Sequence, residues 1–73
     1  MRYKVLVDGL KIRSMPTATE NNVVGTRTLN EVVIPIETVG DTRYPGAYWV
    51  RDAKGWSAAQ YYKPTQKLMQ SFM

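Results

Sequence analysis

Ten residues, Tyr48 to Ser57, YWVRDAKGWS, decide how this chain is read. Tyr48 to Arg51 and Gly55 to Ser57 are short runs of aromatic, β-branched and polar residues. Between them, Asp52-Ala53-Lys54-Gly55 has aspartate first and glycine last, as a tight turn does. The stretch therefore predicts a β-hairpin. Period-two alternation places Tyr48 and Val50 on one face of the first arm and Trp49 on the other. With Val50 inward, Tyr48 is expected in the core and Trp49 is expected to point out.

The same β pattern extends on both sides of the hairpin. Near the start, RYKVLV alternates Tyr3, Val5 and Val7 against Arg2, Lys4 and Leu6. Asp8-Gly9 turns the chain into LKIR, with Leu10 and Ile12 inward and Lys11 and Arg13 outward. A polar stretch from Ser14 to Asn22 follows. Pro16 biases Met15 away from helix and Asn21-Asn22 suit a turn, so a long loop is expected. VVGTRTL resumes the pattern, with Gly25 marking a bulge or a close approach of another segment. In EVVIPIETV, Pro35 cannot donate to a ladder and so argues for an edge strand or a bulge. Tyr44-Pro45-Gly46 reads as a tight turn with proline second and glycine third.

The last residues, KPTQKLMQSFM, differ in kind. Leu68, Met69, Phe72 and Met73 fall at i, i+1, i+4 and i+5, so one helical turn would bring them to one face. This tail is expected to pack back on the β domain, to fray, or to contact a partner or second subunit through Leu68, Met69 and Phe72. The whole reads as an all-β chain: a small barrel or sandwich of five to six short strands over residues 1–62, then an amphipathic tail over 63–73 with a short turn or helix.

Composition narrows the chemistry. The chain has 73 residues, enough for one domain with a small core, and its 44% hydrophobic and 22% charged content is that of a folding protein. Cysteine and histidine are both absent. This removes disulfides, the usual metal ligands and the usual general base, and no metal or cofactor is implied. No run approaches the roughly 20 apolar residues of a membrane span, and MRYKVLVDG lacks a secretory signal. A soluble chain with no membrane partner is expected, in a compartment the sequence leaves open. The six carboxylates, Asp8, Glu20, Glu31, Glu37, Asp41 and Asp52, read as turn or surface groups without a close pair. Ser14 and Ser57 have no histidine base, so no catalytic residue is assigned. The net charge of +4 raises the expectation of an acidic partner or nucleic acid, although basic residues scattered singly also suit an ordinary solvated surface.

Three segments in order carry a family likeness. Leu10-Lys11-Ile12-Arg13-Ser14-Met15-Pro16, Val23-Val24-Gly25-Thr26, and Gly55-Trp56 with Tyr61-Tyr62 resemble the bacterial SH3-like domain family. The family pattern runs roughly L-N-V-R-S-G-P-S, V-I-G-T-L and G-W-V-S-S-S-Y-L. The resemblance spans Val7 to Tyr62 and implies a small SH3-like barrel acting as a binding module. Such domains commonly hold peptidoglycan peptides or protein segments. Several positions depart from the pattern, among them Met15 where glycine is usual, Asn30 where a turn glycine is common, Ala47 where a tryptophan is frequent, and Ser57 where valine follows Gly-Trp. Asn30 can still enter the left-handed region a turn requires. Met15 places a flexible apolar side chain inside the first loop, where it would either fill part of a groove or meet a ligand suited to a thioether.

The candidate ligand-binding residues are Arg13, Tyr44, Trp49, Trp56 and Tyr61. Trp56 and Tyr61 are motif positions that are equally explicable as barrel packing. Trp49 is the outward tryptophan that would take over the surface left by Ala47. Tyr44 lies on a loop, where contact residues tend to sit. Arg13 either pairs with a ligand carboxylate or braces the loop beside it. The leading expectation is a non-catalytic module that binds a peptide, peptidoglycan included, in a shallow aromatic groove between the first loop and the Tyr44–Trp49 segment. The alternatives are a basic barrel that binds nucleic acid and a structural subunit, self-associating or part of an assembly such as a phage particle.

Overall fold

In the computed structural model, residues 1–61 and 66–73 are described, Glu20 without its side chain. Among them the chain forms β1 (Arg2–Val5), β2 (Leu10–Arg13), β3 (Val23–Arg27), β4 (Val32–Val33), β5 (Glu37–Gly40), β6 (Tyr48–Asp52), β7 (Gly55–Tyr61), β8 (Gln66–Lys67) and β9 (Met69–Phe72), with one 3₁₀ turn at Glu20–Asn22. The fold is all-β, as the alternation implies. All pairings are antiparallel and build two sheets, one ordered β4-β1-β9, the other β3-β2-β7-β6-β5 with β8 along β7. Among the described residues the two ladders do not join into one closed barrel.

The alternation expected at the start of the chain holds: Tyr3 and Val5 are buried while Arg2 and Lys4 are exposed, and Leu10 and Ile12 are buried beside exposed Lys11. The main core gathers Tyr3, Val5, Leu10, Val33, Val50, Ala59 and Met69 from both sheets, with Tyr48 packed against it. The Tyr3 and Tyr48 rings lie 6.4 Å apart, so Tyr48 faces the core as expected. The turns also form where the residue types place them. The Ala47 amide donates to the Tyr44 carbonyl at 3.1 Å, with Gly46 at φ +87°, a value proline-glycine turns need and other residues resist. Asn30 takes φ +71°, the left-handed geometry its side chain tolerates. Pro35 interrupts pairing, since β4 ends at Val33 and β5, an edge strand, begins at Glu37.

The tail corrects one expectation. Instead of a helical turn it is extended: Gln66 and Lys67 pair with the end of β7, and Met69 to Phe72 pair with β1. At the corner between them, the Leu68 amide donates to the Ala59 carbonyl at 2.8 Å and the Leu68 carbonyl accepts from the Leu6 amide at 2.9 Å. The physical reason is that β1 and the end of β7 each present an open row of backbone groups. A strand satisfies both rows, whereas a helical turn would bond only to itself. Met69 consequently fills the main core opposite Val5 and is unavailable as a partner contact. Phe72 sits half-buried opposite Arg2. The expected boundary between residues 62 and 63, and the motif position Tyr62, lie outside the described residues.

Candidate binding groove

The first loop is built from Arg13 outward. The β2–β3 register shifts between Ile12 and Arg13, so Arg13 pairs with Val23 while Ile12 pairs with Gly25. Arg13 Nη1 donates to the Thr19 carbonyl at 2.7 Å and to Asn22 Oδ1 at 2.9 Å. Asn22, itself buried, donates through Nδ2 to the Thr17 carbonyl at 2.6 Å, and its own carbonyl accepts from the Ser14 amide at 2.8 Å. Of the two roles open to Arg13, bracing the loop is the one its Nη1 performs. Met15 is exposed and is not among the lining residues of either hollow described below, so it does not fill a groove there.

Beside this loop runs an open cavity of about 260 Å³. Its wall is apolar, formed by Val7, Leu10, Trp49, Ala58, Tyr61 and Leu68, and Lys11, Arg13 and Ala18 stand at one end. A second hollow of about 280 Å³ shares Lys11, Arg13 and Ala18 and continues to Thr19 and Val23. The two hollows thus adjoin at Lys11, Arg13 and Ala18, and are taken together as the candidate groove. Three of the expected residues, Arg13, Trp49 and Tyr61, meet in it. Leu68, expected as a partner contact of the tail, forms part of its wall.

Trp49 points away from the main core, as alternation predicts, yet it is only 2% exposed. The expectation of an outward, solvent-facing tryptophan is therefore corrected. The far face of β6 and β7 is not bare: Trp49, Trp56 and Ala58 form a second small core there, covered by Val39, Tyr61 and Leu68. Trp49 supplies a piece of the groove wall while its indole Nε1 donates to Asp41 Oδ2 at 3.2 Å. Burial works to raise the Asp41 carboxyl, but hydrogen bonds from the Arg43 side chain and amide and from Trp49 outweigh it and hold it below its usual range.

Trp56 and Tyr44 stand apart from the groove. Trp56 is 9% exposed and packs in the second core, with the Arg51 guanidinium 5.8 Å from its ring centroid. Tyr44 meets Tyr61 edge-on at 5.9 Å, under the Arg43 guanidinium at 5.3 Å. It props Tyr61, which in turn meets Trp49 edge-on at 6.4 Å.

One group of residues was not legible as a unit. Arg27 is 0% exposed and forms a two-pronged pair with Asp52, Nη1 to Oδ2 at 2.9 Å and Nη2 to Oδ1 at 2.8 Å. Its Nε donates to Ser57 Oγ at 2.9 Å, and that hydroxyl donates to the Lys11 carbonyl at 2.8 Å. Glu31 adds a longer contact at 3.4 Å. The network thus fixes the strand carrying Lys11 and Arg13 from behind. No local signal in the sequence joins Arg27 to Asp52 and Ser57, which lie 25 and 30 residues further along the chain.

This network makes stability acid-sensitive. Burial raises the Asp52 carboxyl, but hydrogen bonds from Arg27 and the Lys54 and Gly55 amides, with the Arg27 charge, prevail and lower it below its ordinary 3.8. Glu31 is likewise lowered from 4.5, its burial outweighed by the Thr28 amide, Lys54 and Arg27. A carboxyl depressed in the folded state stabilises it above the unfolded value and loses that contribution as pH falls through the folded one. Thermal melts should therefore vary little between neutral pH and about pH 5 and drop steeply below about pH 4. Asp52→Asn should flatten that drop; an unchanged acid profile would remove Asp52 from this role.

Chemically, the groove offers an apolar wall, two cations and no carboxylate among its described lining residues. Among the described residues there is also no group of three or more histidine, cysteine or acidic side chains placed to hold a metal ion. A scan of family models, a search of curated proteins and a search of solved structures each returned no match to this chain.

Proposed function

We propose that this chain is a non-catalytic binding module that receives an extended peptide segment in the groove along β2. The observation that carries the reading is the convergence of Trp49, Tyr61 and Leu68 with Lys11 and Arg13 on one hollow that adjoins a second beside a braced loop. An apolar wall with a few polar groups at one end suits a chain whose alternate side chains face in and out. The finer reading of the fold, an SH3-like barrel, belongs to the same proposal. It is supported by the long first loop after β2, the tight β6–β7 hairpin and the Leu68 corner that links the two sheets.

Ala18 provides the test, because it is exposed on the loop and borders both hollows. Ala18→Trp should occupy the groove while leaving the core alone. Peptides enriched from a random dodecapeptide library on the wild-type protein should bind this variant at least about tenfold more weakly, ~1.4 kcal/mol, at an unchanged melting temperature. Equal binding to both proteins would move the site elsewhere.

Self-association is a second reading with an observation of its own. Val32, Ile34 and Ile36 are all at least half exposed on the segment around Pro35. Nucleic-acid stacking is less well supported, since it needs exposed ring faces and both tryptophans are covered.

A further inference from the structure

Resting on the peptide reading of the groove, we infer that the segment bound there is acidic: an apolar side chain against Trp49 and Leu68, and carboxylates on Lys11 and Arg13. Three observations support this. First, both cations line both hollows and so stand at their junction, not at a remote rim. Second, neither forms a salt bridge with a described carboxylate. Arg43, Arg51, Lys54 and buried Arg27 are paired, and of the described cations that are not, Arg2, Lys4 and Lys67 line neither hollow. Third, Arg13 spends only Nη1 on the loop, and its Nε and Nη2 have no hydrogen bond among the described residues. The bracing bonds hold the guanidinium in place with donors to spare, which is the preorganised fork a carboxylate prefers.

Strand geometry adds a spacing rule. Lys11 and Arg13 are alternate residues on one face of β2, roughly 6.6 Å apart along the strand. An extended ligand lying along β2 repeats its side chains at the same interval. Acidic residues at alternate positions therefore match the two cations, with the apolar anchor on the Leu68 side. A second copy of this chain is a poor occupant, because its net charge is +4 and the groove already carries cations.

The test uses the whole chain and a random dodecapeptide library, panned on wild type, Ala18→Trp and Lys11→Glu. Lys11 is exposed and serves the fold through its backbone, opposite Thr26 in the ladder and as acceptor for Ser57, so reversing its charge leaves the buried network intact. The expected result is enrichment on wild type of sequences with Asp or Glu at alternate positions beside an apolar residue. Synthesised copies of these peptides should bind at least about tenfold more weakly after Glu→Gln replacement or to Lys11→Glu, and more weakly as salt rises. Groove-dependent peptides that are neutral or basic, with less than about a twofold effect of Lys11→Glu, would overturn the inference and leave the peptide groove standing. Enrichment that is the same on Ala18→Trp, or none on any protein, would remove the peptide groove and the inference with it.

Discussion

Arg27→Met is expected to lower the melting midpoint of the protein by well over about 10 °C. The substitution keeps the volume of the side chain but leaves Asp52 as a partly buried carboxylate without its two-pronged partner and Ser57 without its donor. Breaking a buried pair by removing one member costs about 3–5 kcal/mol. At roughly 0.05–0.15 kcal/mol per residue, a chain this short has about 4–11 kcal/mol in all. Each kcal/mol shifts the midpoint of a small domain by about 4–8 °C. Circular dichroism melts should therefore show a loss of well over 10 °C. The informative comparison is a triple variant, Arg27→Leu, Ser57→Val and Asp52→Asn, which replaces the two strand residues of the network by apolar ones and removes the stranded charge. It should recover most of the lost stability, because an apolar replacement of a whole buried network is often neutral. If Arg27→Met alone melts within a few degrees of wild type, the network is not structural.

Gly55→Ala is expected to be nearly as damaging, for a reason of space. Gly55 opens β7 at φ +136°, a conformation L side chains rarely adopt. A Cβ there would lie 2.8 Å from the Arg13 carbonyl oxygen and 2.9 Å from Ile12 Cγ2. The first neighbour is backbone, so relief requires β2 and β7 to separate. Strain and overpacking together put the cost at roughly 3 kcal/mol or more. Because Arg13 is the neighbour pushed away, the groove should also deform, and peptide affinity should fall by more than the unfolded fraction explains. A fully folded Gly55→Ala variant with wild-type affinity would show that the contact between these strands is slack.

Much of the fold was readable from alternation and turn chemistry. The Tyr48–Ser57 hairpin, the inward Tyr3, Val5, Leu10 and Ile12, and the Tyr44–Gly46 turn follow from local preferences that tertiary contacts do not oppose. The tail was misread because its apolar spacing fits a helical turn, while what decides its conformation is the open backbone of β1 and β7, which spacing within the tail does not reveal. Trp49 shows the same limit in the site. Alternation gave its direction correctly, but whether that direction is solvent depends on Tyr61, Val39 and Leu68 arriving from other strands. Arg13 was legible as a loop or ligand residue because it adjoins the loop it braces. The Arg27–Asp52–Ser57 network was not legible, since Arg27 lies 25 residues before Asp52 and 30 before Ser57.

The groove itself is most directly tested by backbone amide chemical shifts on titrating a library-selected peptide into the uniformly ¹⁵N-labelled chain. Shifts concentrated at Leu10 to Arg13, Ala18, Ala58, Tyr61 and Leu68 are the predicted result. Shifts concentrated instead at Val32 to Ile36, with the β2 groove silent, would contradict it.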